Sequence, residues 1–205
     1  MKTLVVVATA AEIAPVEAVL RARRDIDVLV TGVGMVATAA RCSRRLAQGS
    51  WDFALNLGLC GSFDSSLTPG VVVHVVSDRL SELGAEDDDT FLPIESLPLP
   101  SDHVVENPKP PANAALAWLP KVAGITVNTV HGRQATIAAV AARCRPQVES
   151  MEGAAFMYAC RLAGVPFAQV RAVSNMVERR NRASWKIPEA VESLAAVARA
   201  ILQLA

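Results

Sequence analysis

Apolar positions follow two alternating rhythms along the chain. Leu4-Val5-Val6-Val7 is a continuous apolar run, as expected for a strand buried on both faces. Ile26–Val30 and Phe53–Leu57 repeat that character, and Val71–Val76, Ile125–Val130 and Phe167–Val173 continue the series of predicted strands. Between them lie Glu12–Arg23, Met35–Gln48, Gln134–Arg143, Gly153–Leu162 and Pro188–Leu204, rich in Ala and Leu at helical spacing. Pro15 suits a first helical turn, and Gly49 and Gly164 mark stops. Strands alternating with helices predict an α/β fold with a largely parallel central sheet, and residues 1–205 are read as a single domain. Residues 84–111 break the rhythm. They hold Glu86-Asp87-Asp88-Asp89 and the prolines 93, 98, 100, 108, 110 and 111. That predicts a long surface loop insertion of the kind that serves as a lid or binding loop. Four adjacent carboxylates cannot all face one ion, so the acidic run reads as a solvated face.

Composition narrows the function classes. Apolar residues make up 52% of the chain, which excludes disorder. Twenty basic residues balance twenty acidic ones, so no electrostatic grip on nucleic acid is expected. Aromatics at 4% are too sparse for a base-stacking platform. No apolar run reaches the roughly 18 residues of a membrane span. Ala8-Thr9-Ala10 mimics a signal cleavage site, but the preceding apolar stretch is short and Glu12 follows at once. The segment is read as a buried strand, and the expected location is the cytoplasm. Cys42, Cys60, Cys144 and Cys160 form no C-x-x-C pair, so reduced thiols and no metal are expected.

In sheets of this kind, ligands bind beyond the carboxyl ends of strands. That rule selects Thr9–Glu12, Thr31–Gly34, Asn56–Phe63 and Ser174–Asn175. Gly32-Val33-Gly34-Met35-Val36-Ala37 matches the dinucleotide fingerprint G-x-G-x-x-A, with Asp52 about 20 residues on. In a dinucleotide site the acid ends the next strand, whereas Asp52 precedes its strand. The glycines are read instead as a tight turn allowing close backbone approach to a small ligand. Asn56–Ser62 leaves a strand into a glycine-containing turn. Glu152 stands where a helix begins, as a helix-terminus acid or as an acceptor for two adjacent sugar hydroxyls. Arg171 interrupts an apolar strand and requires a carboxylate partner, for which Glu12 is the natural candidate. Asn175 offers one donor and one acceptor to a ligand edge.

Taken in order, Ala8-Thr9-Ala10-Ala11-Glu12, Thr31-Gly32-Val33-Gly34, Asn56-Leu57-Gly58-Leu59-Cys60-Gly61, Glu149-Ser150-Met151-Glu152-Gly153-Ala154-Ala155 and Arg171-Ala172-Val173-Ser174-Asn175 resemble the purine nucleoside phosphorylase and nucleosidase superfamily. The resemblance spans nearly the whole chain. It implies a three-layer α/β/α nucleoside phosphorylase-like fold with a mixed, largely parallel sheet, a small-molecule nucleoside substrate, no cofactor, and a homo-oligomer, dimer or higher. Within the superfamily the pattern is most similar to futalosine hydrolases of menaquinone biosynthesis, through Met176–Trp185, the extra Ser150, and Leu83–Asp87. The implied reaction is hydrolysis of the N-ribosyl bond of futalosine with release of hypoxanthine. Methylthioadenosine/adenosylhomocysteine nucleosidase and inosine-type phosphorylase are the alternatives.

The resemblance implies roles residue by residue. Glu12 orients and deprotonates the attacking water, and Arg171 helps place it. Met151 packs under the ribose and Glu152 binds its hydroxyls. Cys60, Gly61 and Ser174 line the pocket. Asn175 takes the place where methylthioadenosine nucleosidases carry an aspartate, and an adenine-stacking aromatic is missing between Gly132 and Thr136. Base recognition is expected from Asn175 and from that segment, Thr136 included. An asparagine amide pairs with a 6-oxo group but supplies no proton to N7, so the proton is expected from solvent. Thr31–Met35 has no adjacent cation to hold phosphate, which favours water as nucleophile. Arg79, Arg179, Arg180 and Arg182 are expected as a cationic site for a carboxylate on the substrate's tail.

Overall fold

The computed structural model describes residues 1–108 and 110–204. Its strands are β1 (Thr3–Val7), β2 (Ile26–Val30), β3 (Phe53–Ser62), β4 (Val72–Leu80), β5 (Gly84–Asp87), β6 (Thr90–Pro93), β7 (Val104–Glu106), β8 (Lys121–Thr126), β9 (Val148–Ser150) and β10 (Phe167–Met176). Its helices are α1 (Glu17–Ala22), α2 (Met35–Ala47), α3 (Ala114–Trp118), α4 (Gln134–Cys144), α5 (Gly153–Ala163) and α6 (Ile187–Leu202).

The apolar run of β1 is buried throughout because it feeds two cores. Leu4 and Val6 point one way, against Cys42 and Leu46 of α2 and Phe156, Met157 and Cys160 of α5. Val5 and Val7 point the other way, against Leu20 of α1 and Ala190, Leu194, Ala198 and Ile201 of α6. A strand's period of two thus meets helices on both faces, giving helix, sheet and helix layers. α6 packs through positions three and four apart, the stripe its sequence carries.

The sheet is mixed, in the order β10-β4-β8-β9-β3-β1-β2, and a further β10–β3 pairing closes part of it on itself. β1 pairs in parallel with β2 and β3, β3 with β10, and β8 with β4 and β9. The β10–β4, β3–β9 and β4–β7 ladders are antiparallel.

Three local readings are corrected. Residues 12–23 do not form one helix. Ala10–Ile13 is a 3-10 turn, and α1 starts only at Glu17, since Pro15 has no N–H and disfavours helical backbone before it. Residues 84–111 are not loop throughout. Gly84–Asp87 and Thr90–Pro93 pair as an antiparallel hairpin, and β7 joins the edge of β4. The Asp88 backbone turns the hairpin with φ +52°. The strand expected at Ile125–Val130 begins earlier, at Lys121, and three-residue β9 lies unmarked in the approach to Glu152.

Candidate active site

A fork in β3 opens the site. β3 pairs with β1 along Phe53–Asn56, then with β9 at Gly61–Ser62, while β10 runs along its other side. β1 and β9 part between these points, beside Leu57–Cys60, and the segments that leave them flank a cleft. Glu12 enters from the turn after β1, Leu59, Cys60 and Gly61 from β3, Ser150, Met151 and Glu152 from the end of β9, and Ser174 and Asn175 from β10. A smaller cavity continues past Gly61, Glu149 and Asn175 to His131 and Arg180.

Glu12 and Arg171 meet across Gly58. The backbone N–H of Thr9 donates to Glu12 Oε2 at 2.9 Å, fixing the carboxylate. Burial pushes the Glu12 carboxyl above its ordinary value, opposed by the Thr9 N–H and by the Arg171 charge. Arg171 is fully buried, and its Nη2 donates to Asn56 Oδ1 at 2.6 Å. This changes the expected pairing. The direct partner of Arg171 is the Asn56 amide, and Glu12 acts on it through space. Nε and Nη1 of Arg171 have no hydrogen-bond partner among the described residues. Gly58 is the cross-strand neighbour of Arg171, and a Cβ there would lie 1.8 Å from Nη1 and 3.1 Å from Glu12 Oε1. Only glycine leaves room for both charged groups at this point.

Glu152 is buried, and its Oε1 accepts the Gly34 N–H at 2.9 Å. Gly32 and Gly34 have φ of +80° and +99°, conformations that open the turn so that the amide reaches Glu152. The glycine-rich turn therefore serves an internal carboxylate, and Asp52 lies at the far end of β3, accepting from the Lys2 N–H. Glu152 also adds a like charge to the surroundings of Glu12.

At the base of the cleft, β10 shifts register between Val173 and Asn175. Ser174 Oγ reaches the Cys60 carbonyl at 3.2 Å and Asn175 Oδ1 at 2.8 Å, and Asn175 Nδ2 donates to the Met176 carbonyl at 2.9 Å. The Met176 acceptor fixes the amide orientation, because a turned amide would set two oxygens against each other. One Nδ2 proton stays free for a ligand. The buried Cys60 thiol is pushed up to about 12 by desolvation and is not a nucleophile at neutral pH.

Some expectations fall elsewhere. Thr136 is exposed in the first turn of α4, where its hydroxyl donates to the Arg133 carbonyl, and it lines neither cavity. No described residue of 84–111 lines either cavity. Arg79 is held by Glu95, outside the cleft. Arg180 and Arg182 stack over Trp185, 5.1 and 6.0 Å from its ring, and Trp185 lines both cavities. A cation does lie near the glycine turn. Arg41 of α2 has Nη1 3.9 Å from where a Gly32 Cβ would be, but it donates to the Val30 carbonyl and does not line the cleft.

Sequence reasoning misses a half-buried pair. Glu149 accepts from the His131 backbone N–H at 3.0 Å and pairs with His131 Nδ1 at 2.6 Å. Eighteen residues separate them, and only the parallel β8–β9 pairing brings them together.

The family model described as the phosphorylase superfamily matches residues 19–204, beginning after Glu12. A futalosine hydrolase of Acidothermus cellulolyticus is 34% identical over 178 residues, covering 82% of this chain and 71% of that protein. The Thermus thermophilus futalosine hydrolase is 31% identical over 179 residues, covering 85% and 80%. Among solved structures, the Helicobacter pylori futalosine hydrolase superposes with a TM-score of 0.80 at 13% identity, covering 99% of this chain and 97% of the other. The 5'-methylthioadenosine/S-adenosylhomocysteine nucleosidase of the same organism gives 0.80 at 13% identity, covering 99% and 98%. With this fold, the forked β3 and the ordered motifs along its rim, the chain belongs to the phosphorylase superfamily.

Proposed function

We propose that the protein hydrolyses the N-ribosyl bond of futalosine and releases hypoxanthine, a step of menaquinone biosynthesis. One observation carries this reading. Glu12, Glu149 and Glu152 line a cleft in which no Lys or Arg appears among the lining residues. Such a surface repels phosphate and accepts water and sugar hydroxyls, so it suits hydrolysis over phosphorolysis. The three futalosine hydrolase relatives, 31–34% identical, supply the substrate.

In this reading Glu12 takes the proton of the attacking water as its oxygen bonds to C1′. The C1′–N bond breaks and its electron pair goes to the purine. Positive charge grows on the sugar in the transition state, and nearby carboxylates stabilise it. Glu152 accepts from the ribose hydroxyls with its second oxygen, and Met151 packs below the ring. Asn175 donates a hydrogen bond from its free amide N–H to the 6-oxo group of the base. Arg182, stacked on Trp185, offers positive charge to the carboxylate of the substrate's tail.

The reading includes a cytoplasmic homo-oligomer. No helix among the described residues is long and apolar enough to cross a membrane. Val36 is 77% exposed and, with Met35, Leu80, Val105 and Tyr158, lines an apolar groove beside the cleft, a surface that suits a second copy. Sedimentation velocity tests that part.

Product analysis tests the function. The protein is incubated with futalosine, inosine and methylthioadenosine, with and without phosphate. Hypoxanthine from futalosine without phosphate is the expected result. Adenine from methylthioadenosine, or a strict need for phosphate, would overturn it.

A further inference from the structure

Loss of a purine needs a proton on the departing base, and the groups assigned so far do not provide one. Asn175 is an amide, and Cys60 is a buried thiol at the wrong end of the pH scale. The geometry points to His131, held by Glu149, as the general acid that protonates N7 of the leaving purine; this rests on the function proposed above.

Four observations converge on this assignment. His131 and Asn175 line the same small cavity, which continues the main cleft past Gly61. Glu149 grips His131 twice, by the backbone N–H and by Nδ1, so the ring is held in one orientation. Its Nε2 has no hydrogen-bond partner among the described residues and is left for a ligand. Phe63 packs edge-on against the ring at 6.4 Å, closing its apolar side. A carboxylate on one ring nitrogen sets the tautomer and stabilises the imidazolium, which leaves the other nitrogen as the donor. Along the Hoogsteen edge of hypoxanthine, O6 and N7 are neighbours. Asn175 Nδ2 then donates to O6 and His131 Nε2 donates to N7.

The balance closes. The C1′–N bond breaks with its pair on the purine, and the imidazolium proton moves to N7. Water bonds to C1′ and loses its proton to Glu12. Glu12 gives that proton to solvent and His131 recovers one from solvent. The charged groups facing His131 are Glu149 from β9 and Glu178 and Arg180 from the segment after β10.

The test follows kcat and KM for futalosine across pH in the parent, in His131→Asn, in Glu149→Gln and in the double variant. A general acid on the pathway predicts that the parent loses kcat on the alkaline side. His131→Asn should lower kcat by about 10²-fold or more, keep KM within about threefold, and lack the alkaline fall. Glu149→Gln should lower kcat at least about tenfold and move the alkaline limb. The double variant should be no slower than His131→Asn, because the two act as a unit. A His131→Asn variant with kcat within about threefold of the parent, or with its alkaline limb intact, overturns the proposal. So does an additive double variant. Should His131→Asn not fold, an unmoved limb in Glu149→Gln overturns it alone. A parent that releases no hypoxanthine from futalosine refutes the substrate reading and this inference with it. An active parent with unaffected variants refutes His131 only.

Discussion

In the proposed reaction Glu12 must both be oriented and take a proton, and its surroundings suit both tasks. The Thr9 N–H orients it, while burial lifts its pKa toward the range where a base is both ionised and effective. Glu12→Gln is expected to bind nucleoside normally and to lose about 10²–10⁴-fold in kcat. In the parent, activity should fall on the acid side as pH drops through the raised Glu12 pKa, at a pH above the ordinary glutamate value of 4.5. A pH–rate profile of both proteins checks this. In the proposed reaction Asn175 governs the base. Its orientation is fixed by Met176, so its free proton meets an acceptor such as a 6-oxo group. Asn175→Asp replaces that donor with an oxygen. The ratio of hypoxanthine to adenine nucleoside cleavage should fall more than tenfold, equivalent to about 1.4 kcal/mol, in parallel rate assays.

At the scale of elements, the site depends on two long strands standing close together. Arg171 on β10 fills the space over Gly58 on β3 and is tied to Asn56 two residues back on the same strand. Gly58→Ala puts a methyl 1.8 Å from Nη1, so Arg171 must leave Asn56 or the strands must part. A loss of about 1–3 kcal/mol in stability is expected from overpacking. A drop in kcat well beyond that of a merely destabilised protein should accompany it, because Glu12 loses its neighbouring charge. Thermal unfolding and kcat below the transition separate the two effects.

Over the whole molecule, buried titratable groups pull stability in opposite directions. Asp78 on β4 accepts from Thr126 and from Gln169, yet burial raises its pKa to about 6. The folded state therefore binds a proton more tightly than the unfolded chain. Asp78 disfavours folding increasingly as pH rises from 3.8 through about 6. His74, buried without a hydrogen-bond partner among the described residues, is lowered to about 4 and favours folding as pH rises from there to 6.5. Asp78→Asn removes only the first effect. Gln169 Oε1, now unpartnered, can accept from the new amide once Gln169 turns. The variant should gain roughly 1–3 kcal/mol over the parent above pH 6 and nothing near pH 4. Denaturant unfolding at the two pH values measures the difference.

Much of this architecture is legible in the sequence, for a local reason. Leu4–Val7 reads as a doubly buried strand because its two faces need apolar cover whichever helices supply it. Helices α2 and α5 and the Gly164 stop follow from periodicity and from backbone freedom, which are properties of neighbouring residues. Glu12, Glu152, Arg171 and Asn175 stand out because each sits at a strand or helix end, or within a strand, where its polarity is out of place. Their partners are not legible in the same way. Charge alone matches Arg171 to Glu12, but its direct bond goes to Asn56, 115 residues away. Glu152 reaches Gly34 across 118 residues, and His131 meets Glu149 only because β8 and β9 are parallel neighbours. The hairpin at Gly84–Pro93 lies among prolines and acids that pattern alone reads as loop. Local sequence sets which residues want burial, a turn or a charge partner. Which group answers each need is decided by the closing of β10 onto β3 and the fork between β1 and β9, where distances of a few ångströms join residues far apart in the chain.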